Sequence, residues 1–226
     1  MLVAINQHNA HLFPVLLDDM FQLRHRTLVD GEGWTDLRRD DGREKDQFDD
    51  EYMTYLIAVG ENPDKALGCV RFQPSFKPSL TSTVFPHVCG FNGVPTGPDI
   101  YDGSRILVDR SLAKSGSPTA VTSELYCGMI EFGHALKLSA ITCIVAIKWL
   151  HYMRHWNWSV TPLGLPAPAG EDSVVGVAIH PTEAMLANIR GVRGISAPVL
   201  SPSDIGMIVA NHRFMHQQYA AAPSAA

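Results

Sequence analysis

The sequence predicts an α/β fold, a three-layer α/β/α sandwich with a mixed central sheet. Three observations lead there. Two apolar runs joined by turn residues read as an antiparallel hairpin, a wholly apolar run further on reads as a central strand, and helical patterns precede, separate and follow them. Residues 11–29 space Leu12, Leu16, Met20, Leu23 and Thr27 at three or four, the period of a helix with one apolar face. That helix gives way at Gly31-Glu32-Gly33-Trp34. Residues 52–60 (YMTYLIAVG) and 66–73 (ALGCVRFQ) are strand-like, and Glu61-Asn62-Pro63-Asp64 between them is turn chemistry. Residues 74–103 form an irregular excursion rich in Pro and Gly, after which 104–109 (SRILVD) resumes as a strand. Pro118, capped by Ser117, opens a long helix striped with Val121, Leu125, Met129, Phe132 and Leu136. Residues 141–147 (ITCIVAI) have the pattern of a strand covered on both faces. A helix over 149–155, strands over 158–163 and 174–179, and helices over 181–190 and 202–219 follow. Residues 220–226 are expected to fray. No repeat and no Pro/Gly linker divides the chain, so a single domain over 1–226 is expected.

Length and composition narrow the classes. At 226 residues, 46% hydrophobic, 18% charged and net −5, the chain suits one globular core and not a disordered, collagen-like or free-standing nucleic-acid-binding protein. No apolar run reaches the ~18 residues of a membrane span, and MLVAINQHNAHLFP lacks the basic start and apolar stretch of a leader. A cytoplasmic protein is expected. Cys69, Cys89, Cys127 and Cys143 show no C-x-x-C spacing and read as small buried hydrophobes in a reducing compartment. Charge is uneven: residues 30–51 hold ten acids and four bases, either a solvated loop or a lid over a substrate.

Several chemistries have no motif here. The sequence contains no G-x-x-x-x-G-K-[ST], no G-x-G-x-x-G after a strand and no G-x-S-x-G. His151/His155 and His212/His216 have zinc-compatible spacing but no neighbouring Glu or third ligand, and Glu131/His134 is a lone E-x-x-H. No metal site is expected.

What remains is a set of charges in unusual places. Arg24 lies among apolar helix positions, Arg71 lies inside a strand, and Arg105 opens the next one. Asp46 and Asp49 precede the first strand of the hairpin, and Asp102 stands three residues before Arg105. Brought together, three guanidinium groups and three carboxylates would be neutral and buriable. A purely structural salt-bridge network and separate surface charges fit the same residues.

The arrangement resembles the acyl-homoserine lactone synthases, the LuxI-type autoinducer synthases of quorum sensing. That family's pattern is a helical Arg, an aromatic four residues on, a Trp, a D-x-x-D pair, a strand Arg, a Phe and E-x-S-R. Here it reads Arg24, Leu28, Trp34, Asp46 and Asp49, Arg71, Phe85 and Asp102-Gly103-Ser104-Arg105. Two positions depart. Leu28 replaces the usual aromatic wall of the adenosyl pocket, and Asp102 replaces Glu, retracting the carboxylate by about one C–C bond.

The resemblance implies a fold similar to GCN5-type N-acetyltransferases and an acyltransferase that joins an acyl thioester to S-adenosylmethionine. The amine attacks the thioester, the methionine carboxylate displaces the sulfonium, and methylthioadenosine leaves. S-adenosylmethionine is a substrate and no cofactor is implied. The acyl donor is acyl-carrier protein or acyl-CoA. Asp102, with Ser104 and Arg105, is the expected catalytic group, as base or holder of a water. Arg24, Leu28, Trp34, Asp46, Asp49, Arg71 and Phe85 would bind S-adenosylmethionine, with Arg24 either pairing its carboxylate or bracing the loop, and Trp34 and Phe85 alternatively filling core. Backbone N–H groups at a disturbed central strand pair would hold the oxyanion. Leu125, Met129, Ile144, Ala146 and Ile147 are expected to line an acyl pocket, though all also read as core. Two other readings stand beside this one: an N-acyl amino acid synthase of the same fold that forms no lactone, and a non-catalytic module binding acyl carrier or S-adenosylmethionine.

Overall fold

In the computed structural model, which describes residues 1–112, 119–170 and 172–221, eight strands make one mixed sheet. They are β1 (Leu2–Asn6), β2 (Thr54–Val59), β3 (Ala66–Pro74), β4 (Ile100–Val108), β5 (Ala140–Ala146), β6 (Val160–Pro162), β7 (Ala167–Ala169) and β8 (Asp172–Ile179). The spatial order is β1-β2-β3-β4-β5-β8-β6, with β7 also paired to β8. Neighbours are antiparallel except β4 and β5. A parallel pair needs a crossover, and α2 (Ala120–Ala135) supplies it.

Alternation along the strands builds two cores. On one face, Leu56, Val70, Phe72, Tyr101, Ile141 and Val177 meet α2, α4 (Glu183–Arg193) and α5 (Pro202–Ala221). Phe132 of α2 stacks on Phe72 at 4.1 Å and meets Tyr101 edge-on at 5.4 Å. Burying a ring of this size contributes about 1.5–3 kcal/mol. On the other face, Tyr55, Ile57, Cys69 and Leu107 receive Leu16, Met20 and Leu23 of α1 (Pro14–Arg24). Helices therefore cover both faces, as the sequence predicts. No helix among the described residues is long and apolar enough to cross a membrane.

The departures have local causes. The first helix starts at Pro14, whose missing N–H costs nothing at a helix start, and ends at Arg24, where a π-helical turn, His25–Gly31, takes over. β1 was not expected, because five residues without turn signals become a strand only through pairing with β2. β4 begins at Ile100, four residues early, so Asp102 lies within the sheet. Thr119 caps α2 by accepting from the Thr122 N–H at 3.1 Å; Ser117 and Pro118, expected as cap and first residue, lie outside the described residues, as do 222–226 of the tail expected over 220–226, whose first two residues instead continue the last helix. Ile147 begins α3 (Ile147–His155) and does not end β5. The first three residues of β5 are buried but Cys143–Ala146 are half-buried, which corrects the expectation of a strand covered throughout.

The Pro/Gly-rich excursion is ordered. A capping box at Ser79 and Ser82 starts a π-helical turn, Leu80–Val84, and a 3-10 turn, Pro86–Cys89, follows. This segment lies against β5 and β8. A Cβ at Gly176 would stand 2.7 Å from Cys89 Sγ, and one at Gly164 would stand 2.5 Å from the Val88 carbonyl oxygen, so both positions require glycine.

Candidate active site

Arg71 and Gln73 on β3 stand opposite Ser104 and Asp102 on β4. A side-chain period of two puts all four on the face that also packs α1. Between β3 and β4 the register slips by one residue, and within that slip Arg105 adopts φ 54° in the left-handed region. Such a bulge redirects a side chain that regular alternation would send to the opposite face. It costs on the order of 1–3 kcal/mol, which the contacts of Arg105 must offset.

Those contacts belong to a six-charge network. Arg24 Nε donates to Glu44 at 2.5 Å, and its two terminal nitrogens take the two Asp49 oxygens at 2.7 and 2.8 Å. Arg71 Nη1 donates to Asp46 at 2.6 Å, lies 3.0 Å from Asp49, and Nε donates to Ser104 Oγ at 3.0 Å. Arg105 Nη2 reaches Glu44 and Asp46, both at 2.8 Å. The Tyr55 hydroxyl donates to Asp49 at 2.8 Å. Three cations face three anions away from water, an arrangement that resists loss of any member. Asp49 feels burial pushing its pKa up, but the Arg24 and Arg71 charges hold it well below the carboxylate range; in Glu44, burial is likewise outweighed by Arg105 and Arg24.

The predicted cluster therefore forms, with one change of membership: Glu44 holds the place expected of Asp102. Asp102 lies two residues before Ser104, where β4 meets β5, and the Ser79–Thr81 turn covers it. Its Oδ2 accepts from Ser79 Oγ at 2.9 Å and from the Thr81 N–H at 3.2 Å, and it forms no ion pair among the described residues. Burial raises its pKa, the Thr81 and Ser79 hydrogen bonds oppose this in part, and the result is about 6. A carboxyl poised there accepts a proton near neutral pH. β4 and β5 pair only from Ile100↔Ala140 to Asp102↔Thr142 and then diverge, leaving a notch in the sheet beside Asp102.

The remaining predicted residues divide. Arg24 has all three nitrogens committed to carboxylates, so it braces the loop. Trp34 is 51% exposed and so is not core filling; its backbone N–H donates to the Leu28 carbonyl at 3.0 Å, which ties the main chain there to the π-helical turn. Leu28 is buried in the α1-side core, and Phe85 is half-buried at the junction of the two turns of the 80–89 segment. The five acyl-pocket candidates are not brought to one place. Leu125 and Met129 lie in the core on the α2 side, where Cys143 and Val145 also pack. Ile144 and Ala146 alternate to the opposite face of β5, the Asp102 side, and Ile147 is exposed on α3.

Sequence reasoning missed Glu44, Tyr55, Gln73, Ser79 and Thr81. Glu44 is one acid among ten in its segment, and nothing in its neighbours marks it out. Ser79-x-x-Ser82 carries a readable capping signal, but its contact with Asp102 spans more than twenty residues. No group of three His, Cys, Asp or Glu side chains among the described residues is placed to hold a metal. His212 instead bonds Tyr101 Oη through Nδ1 at 3.0 Å and lies 4.1 Å, ring to ring, from His216.

Comparisons with known proteins place the chain in one family. The family model described as autoinducer synthase matches residues 9–189. An isovaleryl-homoserine lactone synthase of Bradyrhizobium diazoefficiens is 37% identical over 167 residues, covering 74% of each chain. The solved structure of BjaI, a CoA-dependent acyl-homoserine lactone synthase with SAM and isopentyl-CoA, superposes with TM-score 0.81 at 29% identity, covering 93% of this chain and 99% of that one. More distantly, an acyl-CoA N-acyltransferase from Pseudomonas aeruginosa shares the fold with TM-score 0.55 at 10% identity, covering 79% of this chain and 97% of that one.

Proposed function

The chain belongs to the autoinducer synthase family and is an acyl-homoserine lactone synthase; from that premise we propose that it makes its quorum-sensing product from S-adenosylmethionine and an acyl-CoA, the whole chain acting as one catalytic domain. Asp102 takes a proton from the substrate ammonium, directly or through a water. The freed amine attacks the thioester carbonyl, and backbone N–H groups where β4 and β5 diverge hold the oxyanion. The carbon–sulfur bond breaks, and the nitrogen's second proton passes to the departing sulfur, which leaves as the thiol. A carboxylate oxygen of the acylated substrate then attacks the carbon bearing the sulfonium, closing the lactone and releasing methylthioadenosine. Trp34 packs against the adenosyl group or the sulfonium. Glu44, Asp46 and Asp49, gripped by three arginines, fix the 32–53 loop beside the site. Ile144 and Ala146, at the notch, meet the start of the acyl chain.

The observation that carries this reading is the position of Asp102: buried, outside the neutral network, and next to the gap in the sheet. The choice of acyl-CoA is supported by the likeness to a CoA-dependent synthase. The test is to incubate the protein with S-adenosylmethionine and a panel of acyl-CoA and acyl-carrier-protein thioesters, with mass detection of lactone and methylthioadenosine. Lactone from one or more acyl-CoA donors is expected, with a rate that rises as pH climbs through about 6. Asp102→Asn should lower turnover about 100-fold or more, a loss far larger than the accompanying weakening of S-adenosylmethionine binding. Acylated product without methylthioadenosine would mean an N-acyl amino acid synthase, and binding without turnover would mean a non-catalytic module. Lactone only from acyl-carrier-protein thioesters would overturn the donor.

A further inference from the structure

Three polar atoms around Asp102 are buried and have no partner: Arg71 Nη2, Gln73 Nε2 and Thr81 Oγ1. Their residues are 1%, 3% and 0% exposed. Buried polar groups are nearly always satisfied, so three orphans beside one carboxyl mark a place that something polar fills. Arg71 and Gln73 are two residues apart on one face of β3, Gln73 is the register partner of Asp102, and the Thr81 N–H bonds Asp102 Oδ2. The four groups are therefore neighbours. Arg71 Nη2 and Gln73 Nε2 only donate, so they call for an oxygen acceptor. Asp102 Oδ1, without a partner among the described residues, and Thr81 Oγ1 can both accept.

Two donors beside two acceptors match a zwitterionic α-amino-acid headgroup. We infer that Gln73 and Thr81, with the third nitrogen of Arg71, form the binding site for the amino-acid end of the sulfonium substrate: Gln73 Nε2 and Arg71 Nη2 hold its carboxylate, and Thr81 Oγ1 and Asp102 Oδ1 hold its ammonium. This rests on the synthase reading above and adds to it the residues that select the headgroup. The partition suits the chemistry. The ammonium is held against the group that must deprotonate it. The carboxylate is held by a neutral amide and by an arginine whose charge Asp46 and Asp49 already balance. It is thus fixed without the strong ion pair that would blunt it as the nucleophile of lactone closure.

The test uses the purified full chain and three probes in calorimetric titrations: S-adenosylmethionine, its decarboxylated analogue, and methylthioadenosine. Gln73→Met keeps the length of the side chain and removes the amide. It should weaken S-adenosylmethionine binding about tenfold, leave the other two probes within about twofold, and melt no lower than the parent, because an unpaired buried amide has been removed. Gln73→Glu should weaken S-adenosylmethionine further, by placing like charges together. In steady state the loss should fall on the KM for S-adenosylmethionine and spare that for acyl-CoA. Unchanged S-adenosylmethionine binding by Gln73→Met would overturn the assignment, and so would an equal weakening of all three probes. A parent protein that binds no methylthioadenosine would instead overturn the synthase reading on which the assignment rests.

Discussion

Asp102 is held by hydroxyl and amide hydrogens where its neighbours Asp46 and Asp49 are held by guanidinium groups, and that difference sets its behaviour. Its pKa is raised from 3.8 to about 6 by burial, so ionisation is disfavoured in the folded state. The stabilisation this gives is complete below pH 3.8 and is lost as pH rises through about 6. The cost at neutral pH is that of keeping a carboxylate where a base is needed. Asp102→Asn removes this cost and can still accept from Ser79 and Thr81. It should melt higher than the parent at pH 7.5, by about 2–3 kcal/mol, and the gap should close near pH 4. Thermal melts at the two pH values check this; equal melting at pH 7.5 would show that the carboxylate is not strained.

At the scale of elements, the notch depends on two segments laid over the sheet. The 79–89 segment comes close because Gly176 has no side chain: a Cβ there would meet Cys89 Sγ at 2.7 Å and the Val88 oxygen at 3.0 Å. Gly176→Ala should cost about 1–3 kcal/mol by overpacking and should lift the turn that holds Asp102. Gly191, inside α4, has nothing within 4 Å of the added atom. Gly191→Ala should stabilise by about 0.5–1 kcal/mol through helix propensity alone. Denaturant unfolding of the pair separates close approach from backbone freedom; similar signs would refute the contact. The π-helical turn after α1 acts likewise, carrying the chain from Arg24 to the exposed Trp34 in ten residues.

Across the whole molecule, the charged network joins α1, the 32–53 loop, β3 and β4 and so couples the loop to the sheet. Glu44 bridges Arg24 and Arg105, and Glu44→Gln leaves both short of charge. The loss should be about 3–5 kcal/mol, with faster proteolysis within 32–53 as the local sign. Unaltered cleavage there would mean that the loop is held by other contacts. Glu44 and Asp49 both titrate below their ordinary values of 4.5 and 3.8. Their stabilisation is present above those values and is lost as pH falls below them, so acid should loosen the loop.

Composition and periodicity alone determined the layered α/β fold, because apolar spacing is local and survives without knowledge of contacts. They gave β2, β3, most of β5 and the later helices, and they flagged Arg24, Arg71 and Arg105 as charges in apolar surroundings. Pairing decided the rest. β1 is a strand only beside β2, Arg105 reaches the network only through a bulge, and Asp102 is separated from Glu44 only by where β4 leaves β5. The acyl-pocket candidates were plausible one at a time, yet alternation along β5 sends Ile144 away from the face that Leu125 and Met129 pack. Which side of a sheet a residue faces, and which of ten acids finds a guanidinium, depends on register and distance in space, and neither is written in the spacing of a single chain.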